Sequence, residues 1–268
     1  MRISSWAKLT CGTLFLYTMT MKSAESFHFQ TGETQTALLE LYTSEGCSSC
    51  PPAETWLSRL KESPKLWNGF VPVTFHVEYW DYLGWKDPFA AKAYTERQHD
   101  YADHWRSRSV YTPGFVLDGK EWRGWSGHDE LTRASSKTVG MLTALSEDGR
   151  QWTFRFQPSS GNVSSSYQFH AALLGFDLTS DVKAGENRGR KLQHDFVALT
   201  MGDGKATKSG DFFQGTVSLN NPTNSRATRL GFAAWVTLSA SLQPLQAVGG
   251  WLTPTNAVLS TRPAAGQK

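Results

Sequence analysis

The apolar positions change period several times along the chain. ALLELY (37–42) is a short, nearly continuous apolar run, the pattern of a buried strand, and TSEG (43–46) follows as a turn. In PPAETWLSRL (51–60) the period becomes helical, with Trp56, Leu57 and Leu60 on one face. The two prolines suit a first turn, where no backbone N–H is needed for the ladder. FVPVTFHV (70–77) alternates as a strand, with Val71, Val73, Phe75 and Val77 on one side and Thr74 and His76 on the other. An aromatic loop, EYWDYLGW (78–85), comes next. Asp87-Pro88 then offers a cap and first residue for a helix reaching about Arg106, with a stripe of Phe89, Ala93, Tyr94, Tyr101 and Trp105.

VYTPG (110–114) leads into a strand at 115–117, and Asp118-Gly119 is a two-residue hairpin turn before the returning strand at 120–125. Ser126 with Asp129 resembles a capping box, which predicts a helix to about Leu145. From about Glu147 only short alternating runs occur, at 152–156, 167–176, 192–201, 213–219, 230–238 and 245–252. Gly, Asn, Ser and Pro clusters separate them. The pattern predicts an α/β domain over 35–146, an all-β, sandwich-like domain over 147–256 and a tail over 257–268.

Residues 1–25 read as an export signal. Arg2 and Lys8 supply positive charge, 9–21 is apolar but short for a bilayer span, and Ser23 and Ala24 are small. An uncleaved anchor and, from Thr10-Cys11, a lipoprotein signal are the alternatives. The expectation is a periplasmic or secreted protein whose mature chain has no stable membrane span. Composition adds little: 39% hydrophobic and 19% charged residues fit a folded chain, and a net charge of +3 without a basic stripe argues against a nucleic-acid partner. Eleven tryptophans, several between Trp80 and Trp125, fit either a groove lining or ordinary packing.

Chemistry concentrates in SEGCSSCPPAE (44–54). If residues 1–25 are removed, Cys47 and Cys50 are the mature chain's cysteines. A bridge between them closes a very short loop and adds little stability, which weakens a purely structural role. Zinc sites usually add a second Cys pair or a nearby Cys/His partner, and none follows here. A redox role fits best. A helix N-terminus presents unpaired N–H groups and a positive dipole end to the first sulfur, and in such motifs the thiol pKa falls from about 8.5 to roughly 3.5–7.5. Cys47 is then the exposed nucleophile and Cys50 the buried resolving thiol. Ser48 and Ser49 can donate weak hydrogen bonds to a thiolate. Glu45 and Glu54 oppose it, with no Lys or Arg between Thr43 and Leu57, which predicts a pKa high in that range and a fairly reducing couple.

His76 has two readings: a proton shuttle or metal partner for the cysteines, or a structural histidine beside Glu78 and Asp81. Trp80 and Tyr111, with their aromatic neighbours, are candidates for a substrate groove or for loop packing. Glu186, Asn187 and Arg188 sit in a turn that either contacts the first domain or orders its own loop.

ELYTSEGCSSCPPAE, FHVEYWDYLGWKDPF, RSVYTPGFVLDG and AGENRGRKLQHDFV together resemble an uncharacterised bacterial family of secreted thioredoxin-like proteins, across most of the mature chain. The resemblance implies an α/β thioredoxin-like domain followed by the all-β, sandwich-like one. It also implies that Pro113 is cis and faces the cysteines, and that Thr112 offers its backbone to an extended substrate. The expected function is a cell-envelope thiol–disulfide oxidoreductase acting on a protein thiol or disulfide client, with a redox partner and no cofactor. Two alternatives stand beside it: a copper-binding protein using Cys47, Cys50 and His76, and a non-catalytic binding module. G-x-S-x-G, phosphate-loop, H-E-x-x-H and dinucleotide motifs are absent.

Overall fold

The computed structural model describes residues 26–126, 131, 135–160, 164, 166–220 and 227–252. The expected export signal and tail lie outside these residues. In chain order the elements are β1 (Phe27–Gln30), β2 (Ala37–Thr43), α1 (Cys50–Ser58), β3 (Phe70–His76), α2 (Lys92–His104), β4 (Gly114–Leu117) and β5 (Lys120–Trp122). They continue with β6 (Gly140–Ser146), β7 (Gln151–Pro158), β8 (Tyr167–Phe176), β9 (Leu178–Asp181) and β10 (Lys191–His194). The chain closes with β11 (Val197–Lys205), β12 (Thr207–Ser209), β13 (Phe212–Ser218), β14 (Arg229–Leu238) and β15 (Pro244–Trp251).

The expected fold class is corrected here. Among the described residues strand makes up 47% and helix 17%, arranged in three sheets, so the described fold is mostly β and its first half is not an α/β thioredoxin-like domain. Two findings show why. First, β2, β3, β4 and β5 do not close a sheet of their own. They form one end of an eight-stranded sheet of order β15-β14-β8-β11-β3-β2-β4-β5, in which β11 pairs parallel to β3 with Val197 opposite Thr74. Second, residues 140–146 are strand, not the end of a helix. Leu142 and Ala144 point inward while Thr143 and Leu145 point outward, a period of two. The start of the expected helix, 127–130, lies outside the described residues.

A five-stranded sheet, β1-β6-β7-β13-β12, and the β9/β10 ribbon complete the architecture. β8 and β14 are buried on both faces and divide their side chains between two cores. Ala172, Leu174, Phe176, Ala233 and Trp235 join the core that also holds Ala53 and Leu57 of α1 and Tyr94 and Tyr101 of α2. Phe169, Ala171, Leu173, Phe232 and Ala234 face the five-stranded sheet, where Trp152 stacks on Phe232 with ring centroids 3.6 Å apart. The expected alternating runs are therefore strands, but the eight-stranded sheet carries them on from the first half.

α2 starts at Lys92 instead of Asp87, with Ala91 as its extended cap residue. It is anchored through Arg97, whose guanidinium donates from Nε (2.8 Å) and Nη2 (3.0 Å) to the buried carboxylate of Glu40 on β2. The same guanidinium lies 5.1 Å from the Trp235 ring centroid. Tyr42 and Tyr101 also donate to Glu40, at 2.8 and 2.6 Å. Burial first, then the Glu40 charge, raises both phenol pKa values well above normal, so both remain donors.

Candidate functional site

The parallel pair β2 and β3 ends with Thr43 opposite His76, and the chain leaving β2 turns directly into the cysteine motif. The Cys47 N–H donates to Ser44 O (3.1 Å) and the Cys50 N–H to Cys47 O (3.3 Å). Cys50 opens α1, with Pro51 and Pro52 in the first turn as expected. Only glycine fits at position 46, because a Cβ there would meet the Cβ of Trp80 at 2.9 Å.

Cys47 and Cys50 form a disulfide. Ser49 Oγ lies 3.3 Å and the Thr112 carbonyl oxygen 3.8 Å from Cys47 Sγ. The Thr112–Pro113 bond is cis, the expected isomer. Trp80 donates from Nε1 to Thr112 Oγ1 at 2.7 Å, which joins the aromatic loop to this turn. Tyr111 stands apart: it is 42% exposed, and its hydroxyl binds Glu121, not the motif.

One expectation about the cysteines fails. Cys47 is not the exposed partner, since both cysteines are fully buried. The loop at 182–190 between β9 and β10 packs against the backbone of the motif. Asn187, itself fully buried, donates its amide to the carbonyls of Glu45 (2.9 Å) and Cys47 (2.8 Å). Glu186 accepts the Ser48 N–H at 2.9 Å. Of the two roles considered for that turn, contact with the first half is the observed one. Ser48 and Ser49 remain exposed at the rim.

Beside the motif lies a buried cluster of charge. His76 does not bond Glu78 or Asp81. Its Nδ1 pairs with Asp87 Oδ2 at 2.7 Å, and Asp87 Oδ2 also accepts the Glu45 N–H at 2.8 Å. His194, at the end of β10, bridges two carboxylates: Nε2 is 3.0 Å from Glu45 Oε1, and Nδ1 bonds Glu54 Oε2. The second oxygen of Glu54 accepts from Thr43 Oγ1 at 2.6 Å, and Trp85 Nε1 donates to Glu45 Oε2 at 2.6 Å. Phe89 packs edge-on against both imidazoles.

Burial alone would lower the His194 pKa, but the Glu54 charge and the bonds from Glu45 and Glu54 outweigh it and push it up to about 10. Burial raises the Glu54 carboxyl and His194 more than reverses this, leaving it below its usual value. Asp87 is likewise lowered, its burial overcome by His76. Glu45 and Glu54 are therefore partners of an imidazolium, not free anions set against a thiolate. Sequence reasoning missed His194 because it lies 140 residues beyond Glu54. The signal available was its inward position in the alternating strand KLQH.

The residues thus build a buried dithiol/disulfide beside two histidines and three carboxylates. Residues 38–237 match the family described as a protein of unknown function, DUF1223, and the chain belongs to that family. Two solved structures share the fold. A structural-genomics protein from Agrobacterium tumefaciens is 22% identical, with a TM-score of 0.57, over 87% of this chain and 100% of that one. HBP35 of Porphyromonas gingivalis is 10% identical, with a TM-score of 0.56, over 89% of this chain and 81% of that one. No curated protein matches.

Proposed function

We propose that this protein is a thiol–disulfide exchange protein of the cell envelope in which Cys47 and Cys50 form the working couple. The observation that carries the reading is the placement of the pair: a disulfide at the first turn of α1, with Cys47 Sγ 3.8 Å from the carbonyl that precedes Pro113. A helix start stabilises a thiolate at this position, through its dipole and free N–H groups. The export setting rests on the basic and apolar pattern of residues 1–25.

In the oxidised form, a client thiolate attacks Cys47 Sγ, a client–Cys47 bond forms and Cys50 leaves as a thiolate. The client's second thiolate then attacks its own bridged sulfur. Cys47 leaves, the client holds the disulfide and this protein holds two thiols. In reverse, Cys47 attacks a client disulfide and Cys50 resolves the mixed disulfide. The 182–190 loop must lift for either direction, so exchange is gated by the bonds of Asn187 and Glu186.

The test is reduction of a model protein disulfide such as insulin, and oxidation of a reduced peptide dithiol, by the wild type and by Cys47→Ser and Cys50→Ser. Activity in one direction, lost in both variants, is the expected result. Activity that survives both substitutions, or none in either direction with the wild type, overturns the proposal.

A further inference from the structure

His76 Nε2 is fully buried and has no hydrogen-bond partner among the described residues. Leaving such a group unpaired carries its full desolvation penalty, so it calls for an explanation. Its other ring nitrogen is taken by Asp87, so Nε2 is the atom left for a ligand. One donor atom each from Glu54, His76 and His194 lies within 4.8 Å of the others, and all three residues are buried.

We propose that Glu54, His76 and His194 form a binding site for a divalent transition-metal cation, with Zn2+ the best fit. Two imidazoles and one carboxylate, with a fourth position open, is a common zinc donor set. The surroundings match what such a site requires. A metal-bound histidine usually gives its other N–H to a carboxylate, which fixes the ring and strengthens the ligand. Here His76 Nδ1 is held by Asp87, and His194 Nε2 by Glu45. Glu54 is itself oriented by the Thr43 hydroxyl. The nitrogen of His194 that faces Glu54 is Nδ1, so the cation takes the place of the proton between them. One proton leaves to solvent as the N–metal and O–metal bonds form.

Bonds of about 2.0–2.1 Å to a cation set their donors further apart than a direct hydrogen bond does, so Glu54 and His194, now bonded to each other, part slightly to admit it. A pocket of about 370 Å³ between the start of α1 and β10 gives a way in, with Glu54 in its lining. Arg190, also on that pocket, is occupied by Asn187 Oδ1 at 2.8 Å. Neither cysteine belongs to the site, so the inference stands or falls independently of the exchange activity.

The experiment is Zn2+ binding to the full chain with its disulfide intact, followed by competition with a zinc-sensitive dye and by metal analysis after dialysis. We expect one equivalent, retained in the Cys47→Ser/Cys50→Ser double variant. His76→Gln should weaken binding at least ~100-fold and Asp87→Asn ~10–100-fold. Loss of binding in the double cysteine variant, or unchanged affinity in folded His76→Gln, overturns the proposal. If His76→Gln does not fold, Co2+ added to the oxidised wild type decides. Intense d–d bands without a thiolate charge-transfer band support nitrogen and oxygen ligands, whereas the spectrum of the free aquo ion refutes the site.

Discussion

Asn187→Ala should open the path to the disulfide. The wild-type amide donates two hydrogen bonds out of the loop, to the carbonyls of Glu45 and Cys47, inside a fully buried setting, and accepts one from Arg190 within the loop. Each donated bond is worth about 1 kcal/mol net, and the two together about 2 kcal/mol. They hold the closed state of the 182–190 loop and are broken when it lifts, so removing them shifts the open–closed balance by ~30-fold. Small reductants such as dithiothreitol reach Cys47 only in the open state. When opening and closing are fast, the observed reduction rate scales with the open population. The assay is the rate of thiol appearance under excess reductant, trapped by alkylation and read by mass. Asn187→Ala is expected to react ~30-fold faster than the wild type. Glu186→Ala, which loses one exposed bond to Ser48, should react only a few-fold faster. A urea titration shows whether global stability has fallen by the same amount. Equal rates for wild type and Asn187→Ala would mean that the loop does not control access, and the gating argument fails.

Two further outcomes follow from buried charge. Burial raises the Asp118 carboxyl to about 6, although it accepts the Leu38 N–H at 2.9 Å. Between about pH 4 and 6 the folded protein therefore holds a proton that the unfolded chain has released. Stability falls as pH rises through that window and stays reduced above it. Asp118→Asn should gain about 2 kcal/mol at pH 8 and nothing near pH 3.5, read as the difference between the two unfolding curves; a gain independent of pH would contradict this. Arg97→Met strands the buried Glu40 carboxylate and should cost about 3–5 kcal/mol in urea unfolding. Adding Glu40→Gln should recover much of that loss, whereas strictly additive costs would show that the pair is not coupled.

Local chemistry carried the readable part of this fold. The apolar run of β2, the proline start of α1, the alternation of β3 and the Asp118-Gly119 turn each act within a few residues, and each is where the pattern placed it. Five of the six alternating runs after residue 147 correspond to β7, β8, β13, β14 and β15, the run at 192–201 divides between β10 and β11, and the short strands β9 and β12 were not read. What local pattern could not carry was the joining of β3 to β11, because Thr74 and Val197 meet only in the folded sheet. The misreading of 140–146 as helix has a similar cause: a short apolar strand flanked by polar residues fits either period. Asp87 looked like a helix cap and does accept the Phe89 N–H at 2.9 Å, but its other oxygen serves His76. Within the candidate site the cysteines and Thr112-Pro113 were visible in the sequence. Asn187 was visible only as part of a turn with two possible roles, and His194 not at all, since their partners lie 140 or more residues away.

That separation sets an order of events during synthesis. Cys47 leaves the ribosome 140 residues before Asn187, which later closes over it, and Glu45 precedes its imidazole partner by 149. Throughout that interval the two sulfurs stand naked in the nascent chain, open to any oxidant they meet. The bond between them can thus be made early and sealed late, so the lid shuts over chemistry already done.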